Sequence, residues 1–490
     1  RSELGMERAD LRAVELAGLC HDLGHGPYSH VFDREFLPRR GVVGWEHEAM
    51  SAAVLDAIVE DNYVDSIPAQ DLRTIKDMIT AGHGAQLGSG AEAGAVTPGS
   101  TPPTIDSSPR PASASSKRWL HEIVANGRNG IDVDKFDYLA RDSLCCGVRV
   151  SFDPGRIMQF SKVLDDEICY RYSEYMSLHD LFHSRASMHR QVYTHRKAKA
   201  VEYMIVDALC AADPVLKLSN RVWDARSFMA LDDSVLDVLE NRELYGWRAK
   251  RDARKVGWGR GEDDDAEREK DDEEVGPAAA PSGTPASRNP LCSRVLLDSD
   301  QEDEAAIAEA QAVIARLRRR RLYRYCGEVL VPPGDVGSGR WSVPSSQDVV
   351  ACYRGSGPRP RAEDVILHDN KISFSMRDSN PLDRVHFFDD LESTEKRALR
   401  PHQITSMLAA NFQETSLRVY SRRDDPAAVL AVKEAFQNWV SQRFGGHVEC
   451  STPLKSRAPD ATQRLKRAAE GVQGSSPDPL SQRAHKNLKL

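Results

Sequence analysis

The most constraining feature lies between Asp10 and Asp33, where DLRAVELAGLC runs into HDLGHGPYSHVFD. Leu11, Val14, Gly18 and His21 recur at i, i+3, i+7 and i+10, so one helical stripe ends on His21 with Asp22 beside it. Gly24 is placed to stop that helix. His25 and His30 follow closely, and Asp33 lies just beyond. Imidazole and carboxylate donors together accept a divalent cation such as zinc, iron or manganese. A lone His-Asp pair is common and usually structural. So many imidazoles at one helix end are harder to explain as packing and point to a metal site. A chain built this way must bury the stripe behind the site in a helical core.

The chain has 490 residues, enough for two or three domains or one large domain with appendages. Hydrophobic residues make up 40% and charged residues 29%, which suits a soluble core with solvated extensions. No run approaches eighteen apolar residues, so no membrane span is expected. The nine cysteines form no C-x-x-C, and Cys145 and Cys146 are adjacent, a usage expected of reduced thiols in the nucleus or cytoplasm. A net charge of −8 argues against binding nucleic acid over the whole surface, though basic residues gathered locally can still hold a polyanion.

Shifts in composition divide the chain. Residues 1–84 are dense in helix formers and hold the first part of a helical core. Residues 85–117 turn to Gly, Ala, Ser, Thr and Pro and read as a disordered insertion. The core resumes over 118–248. Residues 249–301 carry the acidic blocks Glu262–Asp265 and Asp271–Glu274 and read as a second disordered insertion. A smaller α+β lobe is expected over 302–448, with a helix at 302–322, a strand at Tyr323–Val331, a small sheet within Val365–Phe388 and an amphipathic helix at Leu430–Phe444. Residues 449–490 read as a disordered tail. The fold class is therefore mostly α: a helical core, a smaller α+β C-terminal lobe and two disordered insertions.

Two further segments carry chemistry. In NGIDVDKFDYLARD, Asn129 to Asp142, a helix from about Val133 sets Asp134, Tyr138 and Asp142 at i, i+4 and i+8, with Lys135 flanking. One face then offers a carboxylate for metal, a cation for phosphate, a phenol, and an acid able to bond a sugar hydroxyl. In DLFHSRASMHRQVYTHRK, Asp180 to Lys197, a single helix would stack Arg185, His189 and Tyr193. Guanidinium, imidazole and aromatic ring on one face clamp phosphates and stack on a base or sugar. Basic helices are more often solvated faces. On an acidic chain, the interleaved His and Tyr favour a nucleotide pocket.

The HDLGHGPYSHVFD segment resembles the HD-motif segment of the SAM- and HD-domain deoxynucleoside triphosphate triphosphohydrolase family. The resemblance continues in WEHE (Trp45–Glu48), in both segments above, and more weakly in SNPLDRVHFF (Ser379–Phe388) and SLRVYSRR (Ser416–Arg423). It implies an HD phosphohydrolase core with a divalent metal (Zn, Fe, Mn or Mg) held by His21, Asp22 and Asp134. His47 matches the catalytic histidine, and His25, with Asp33 as its partner, is the other candidate for proton transfer. His25, His30, Lys135, Tyr138, Asp142, Arg185, His189 and Tyr193 would line the substrate pocket.

The implied reaction is hydrolysis of a dNTP at the α-phosphorus, releasing deoxynucleoside and triphosphate. The resemblance also implies GTP and dNTP activators bound between subunits of a homo-oligomer, dimer to tetramer. Lys162, Arg171, Arg196, Arg418 and Arg422 align with the basic contacts to those activators. Ser173, Ser177 and Gln191 stand where the pattern has a lysine, an asparagine and an arginine, so altered activator control is expected. A charge lost from a phosphate contact costs about 1.5–3 kcal/mol. The pattern's first metal histidine precedes the His-Asp pair by a few dozen residues. None of the twenty residues before His21 is histidine, so an N-terminally truncated chain is expected. Two other readings remain. One is a different HD-type nucleotide phosphohydrolase. The other is a catalytically impaired protein that binds nucleotide or single-stranded nucleic acid, for which the basic run Arg316–Arg324 would serve.

Overall fold

The computed structural model describes residues 4–82, 117–241, 301–375, 378–399, 411–445, 448 and 450–451. The two expected insertions and the expected tail lie almost wholly outside the described residues.

Helix α1, Arg8–Cys20, starts where the Asp10 carboxylate accepts the Glu7 backbone N–H at 2.8 Å. Its most buried stripe is Ala13, Ala17 and Cys20, one position away from the expected Leu11, Val14, Gly18 and His21. Small side chains there let α3, Ala69–Ile79, and α4, Trp119–Val124, pack close, with Ile75, Met78, Trp119 and Leu120 filling the shared core. Between α1 and α3 lies α2, His47–Asp61, which contributes Leu55 to that core.

Helix α5, Val133–Cys146, is capped by Asp132, whose carboxylate accepts the Lys135 N–H at 3.2 Å, and ends at Gly147 with φ +66°. Helix α6, Tyr175–Met188, does not continue through His189 and Tyr193 as the sequence suggested. A π-helical turn, His189–Tyr193, follows it, because the His189 carbonyl accepts both the backbone N–H and the hydroxyl of Thr194 at 2.8 Å.

Helix α7, Arg196–Leu216, runs through the molecule, and α8, Val235–Glu240, and α9, Gln301–Arg318, flank it. Val206, Leu209 and Ala212 of α7, Leu236 and Leu239 of α8, and Ile307, Ala310 and Ile314 of α9 share one core with Phe32, Phe36 and Val54. The helix expected at the head of the C-terminal lobe thus packs into the helical core.

Two small sheets complete the fold. In the first, β1 (Ser161–Leu164) and β2 (Glu167–Arg171) form an antiparallel pair. β5 (His386–Phe388) adds parallel to β2, and β6 (Arg397–Ala398) adds antiparallel to β5. The second is antiparallel, in the order β4 (Val365–Ser373), β7 (Gln413–Ser421), β3 (Arg324–Leu330) and β8 (Cys450–Ser451), with α10 (Pro426–Phe444) on one face. The single sheet expected within Val365–Phe388 is therefore split, its first half in one sheet and its second half in the other. The result is a mostly α fold with a smaller α+β portion. Among the described residues, no helix is long and apolar enough to cross a membrane.

The second sheet docks on α7 through Tyr203, Ile366 and Tyr420. His368 of β4 sits beside that contact, its ring 6.0 Å from that of Tyr203. Burial, helped by Lys199 and Arg418, pushes its pKa from 6.5 down to about 3. In the unfolded chain an ordinary histidine takes up its proton near 6.5. The fold refuses that proton until about 3, so this stability is complete above pH 6.5 and drains away as pH falls from 6.5 toward 3. Urea midpoints of the wild-type chain are expected to fall more steeply over that range than those of His368→Asn. Equal slopes would remove His368 as the cause.

Candidate functional site

The site begins where α1 ends. His21 keeps helical backbone angles as the residue after Cys20, and its Nδ1 lies 2.8 Å from the Gly18 carbonyl. Nδ1 therefore carries a proton, and Nε2 is turned toward a ligand. Nε2 lies 3.4 Å from an Asp22 oxygen and 3.4 Å from an Asp134 oxygen on the first turn of α5. The hydrogen bond with Asp134, with Asp22 assisting and burial opposing, raises the His21 pKa to about 9. The carboxylates thus favour positive charge at that point, whether a proton or a cation. The donor atoms of His21, Asp22 and Asp134 lie within 4.8 Å of one another. One imidazole and two carboxylates with its second nitrogen already bonded to backbone fit a divalent transition metal.

Gly24 does not stop the helix through a left-handed backbone. A Cβ there would lie 2.0 Å from the His47 carbonyl oxygen and 2.4 Å from the Ser51 nitrogen, so glycine lets the His-Asp turn lie directly on α2. Ser51, fully buried, joins the two: its hydroxyl accepts the Gly24 N–H at 2.8 Å and sits 2.6 Å from the His21 carbonyl. Ser51 was not legible in the sequence, being a small residue in an ordinary helix.

Beside the first cluster lies a second, of His25, His30 and His47. The His25 and His47 rings are 4.0 Å apart, and the His25 and His30 rings 5.1 Å. The expected pairing of Asp33 with His25 is not the one the fold makes. Asp33 Oδ2 lies 3.1 Å from His30 and 3.4 Å from His47, while His25 faces Asp22 at 3.4 Å. The chain turns into a π-helical segment at Phe32–Phe36, which brings Asp33 back over His30. Burial acts to raise the Asp33 carboxyl, but its hydrogen bonds with His30 and His47 outweigh burial and hold it well below its ordinary range. Burial and the neighbouring His47 lower His25. The cluster thus combines an ionised acid, two imidazoles bonded to it, and a third imidazole that resists protonation.

The remaining residues expected to line a substrate pocket come from α5, α6 and the π-helical turn. Lys135 pairs with Asp132 at 3.2 Å, and Asp132 also caps α5. Asp132, Tyr138, Asp134 and Arg185 lie within electrostatic range of Lys135. Arg185 donates to the Ser373 carbonyl of β4 at 2.5 Å. The His189 ring meets that of Tyr193 at 5.0 Å, and burial, with Arg185, Arg34 and His30 nearby, lowers its pKa to about 3. The Tyr193 hydroxyl donates to Asp142 at 2.6 Å, so this acid is already bonded. The wider π-helical turn, rather than a continuous helix, makes these contacts.

The five residues aligned with activator contacts lie in two places. Lys162 of β1 donates to the Leu391 and Ser393 carbonyls at 2.7 and 2.8 Å, and the Arg171 guanidinium of β2 lies over the Phe160 ring. Arg196, Arg418 and Arg422 lie where α7 meets the second sheet. Arg196 covers Tyr325, Arg418 pairs with Glu328 at 2.8 Å, and Arg422 pairs with Asp207 at 2.8 Å. Ser173 and Ser177 turn their hydroxyls to Glu174.

The helical core joins a His-Asp pair at one helix end to an aspartate from a distant helix, the arrangement that the resemblance to HD-type phosphohydrolases implied. No family model matches the chain. The chain is 28% identical over 420 residues to the deoxynucleoside triphosphate triphosphohydrolase SAMHD1 homolog of Dictyostelium discoideum, covering 86% of this chain and 63% of that protein. It is 28% identical over 458 residues to deoxynucleoside triphosphate triphosphohydrolase SAMHD1 of Homo sapiens, covering 90% and 62%. An HD domain-containing protein of Acanthamoeba polyphaga mimivirus is 30% identical over 231 residues, 47% of this chain and 44% of that one. The chain thus spans less than two thirds of the length of these relatives. The resemblance read from the motifs holds along about nine-tenths of the chain.

Proposed function

We propose that this chain carries the catalytic core of a divalent-metal-dependent triphosphohydrolase that cleaves dNTPs at the α-phosphorus. The observation that carries this reading is the junction of two clusters. The His21–Asp22–Asp134 set shares an edge with the His25–His30–His47–Asp33 set, through Asp22 and His25 at 3.4 Å. The activities named for the similar dNTP triphosphohydrolases point the same way.

His21 Nε2 and the Asp22 and Asp134 carboxylates would hold the cation. When bound, a divalent cation supplies Lewis acidity and makes a nearby water more acidic. The chain's own residues do the rest. Lys135 and Arg185 offset the charge of the triphosphate. Asp33 orients the imidazoles of His30 and His47, one of which gives its proton to the departing 5′-oxygen. Water adds to the α-phosphorus, the bond from that phosphorus to the 5′-oxygen breaks, and triphosphate and deoxynucleoside leave. Tyr193, fixed by Asp142, packs against the sugar. Activation by GTP or a dNTP between copies of the chain belongs to the same proposal. A nucleotide there must replace the internal pairs of Arg418 with Glu328 and of Arg422 with Asp207.

The test is incubation with dGTP and manganese or magnesium, with and without GTP, followed by ion-exchange chromatography. Deoxyguanosine with intact triphosphate is the expected outcome. Deoxyguanosine monophosphate with pyrophosphate, or tight nucleotide binding without turnover of either kind, would assign the chain to one of the other readings.

A further inference from the structure

Asp233 lies outside every motif of the site, on the turn that leads into α8. The loop from Gly24 to His30 carries His25 at one end and His30 at the other. Inside it Tyr28 and Ser29 have φ of +61° and +52°. Two successive non-glycine residues in the left-handed region persist only where their surroundings over-determine them. Contacts within the loop are modest: Ser29 N–H donates to the Gly26 carbonyl at 2.9 Å, and Val31 N–H to the Tyr28 carbonyl at 3.1 Å.

The stronger hold comes from Asp233. Its carboxylate accepts the Tyr28 backbone N–H at 2.7 Å, and its carbonyl accepts the Tyr28 hydroxyl at 2.7 Å. The neighbouring Asp232 is engaged in turning the chain into α8, accepting the Ser234 N–H at 2.9 Å, which leaves Asp233 turned to the loop. The Tyr28 ring packs against the core that Val235, Leu236 and Leu239 of α8 share.

The loop exits directly into His30, whose side chain is 48% exposed, lies 3.1 Å from Asp33 and is flanked by the Arg34 guanidinium and the His25 and His47 rings. Its aim toward Asp33 and His47 is set by the backbone that delivers it. We propose that Asp233 is a positioning residue for the reaction: by holding Tyr28 at two points it fixes the left-handed turn that aims His30 at Asp33 and His47. This rests on the triphosphohydrolase reading.

The test uses the full chain with manganese and dGTP, and compares Asp233→Ala, Asp233→Asn and Tyr28→Phe with wild type. Misplacing a proton-transfer group by about 1 Å costs up to roughly a hundredfold. Asp233→Ala is expected to lower kcat by about tenfold to a hundredfold, with KM, manganese stoichiometry and Tm near wild type. Asp233→Asn keeps an oxygen for the Tyr28 N–H and is expected to restore most of that loss. Tyr28→Phe removes one of the two bonds and is expected to lose a few-fold, which keeps the idea testable if Asp233→Ala does not fold. Wild-type kcat in Asp233→Ala, or equal losses in the alanine and asparagine variants, would overturn the positioning role. A wild-type chain that binds manganese and releases no triphosphate counts against the function instead. The clamp is then read from the His30 Cε1 resonance, which is expected to move in Asp233→Ala, and an unmoved resonance would overturn it.

Discussion

Asp134→Ala is expected to lower divalent-metal affinity by more than about a hundredfold, since even outer-shell partners of metal ligands are worth about 10–100-fold. Triphosphate release is expected to fall to background with it. Asp134 is one of three donors gathered within 4.8 Å, and its carboxylate lies 3.4 Å from His21 Nε2. Its removal leaves Asp22 and His21, two neighbours on one turn, without the ligand that α5 brings across the core. Equilibrium dialysis against manganese, with metal quantified in the protein fraction, measures this directly. Full stoichiometry in the variant would mean that Asp134 is not a ligand.

The second large effect is expected from Gly24→Ala. The new methyl would have to occupy space 2.0 Å from the His47 carbonyl oxygen and 2.4 Å from the Ser51 nitrogen, both backbone atoms that cannot swing aside. The His-Asp turn must then lift from α2, breaking the Gly24–Ser51 bond and drawing His25 away from His47. Overpacking of this kind costs about 1–3 kcal/mol, and a rigid backbone contact places the expected loss at the upper end, about 3 kcal/mol. Gly18→Ala supplies the contrast. A Cβ on Gly18 meets nothing within 4 Å in a helix interior, so it is expected to stabilise by about 0.5–1 kcal/mol. Urea unfolding distinguishes the two, and a Gly24→Ala chain as stable as wild type would show that the close approach does not matter.

Within a single helix, spacing told part of it: α5 sets Asp134, Tyr138 and Asp142 on successive turns as read, but the buried stripe of α1 falls one position from the expected one and α6 stops before His189. What was lost depended on contacts between distant parts of the chain. Asp33 pairs with His30 and His47 because of a left-handed turn at Tyr28–Ser29 and a π-helical turn after it, and neither leaves a trace in hydrophobic spacing. The second π-helical turn rests on the Thr194 backbone N–H and hydroxyl both reaching back to the His189 carbonyl. β5 joins the first sheet and β4 the second because of strand pairing across the fold, although the two are close in sequence. Ser51 connects the two halves of the site through buried hydrogen bonds, which composition cannot reveal.

In the proposed reaction, water enters the substrate at the α-phosphorus. Hydrolysis of dGTP in water enriched in oxygen-18, with both products examined by mass spectrometry, locates it. The label is expected in the triphosphate, with none in the deoxyguanosine, because water adds to the α-phosphorus and the 5′-oxygen leaves with the sugar. Label in deoxyguanosine, or label shared between a nucleoside monophosphate and pyrophosphate, would contradict attack at the α-phosphorus with triphosphate as the leaving product.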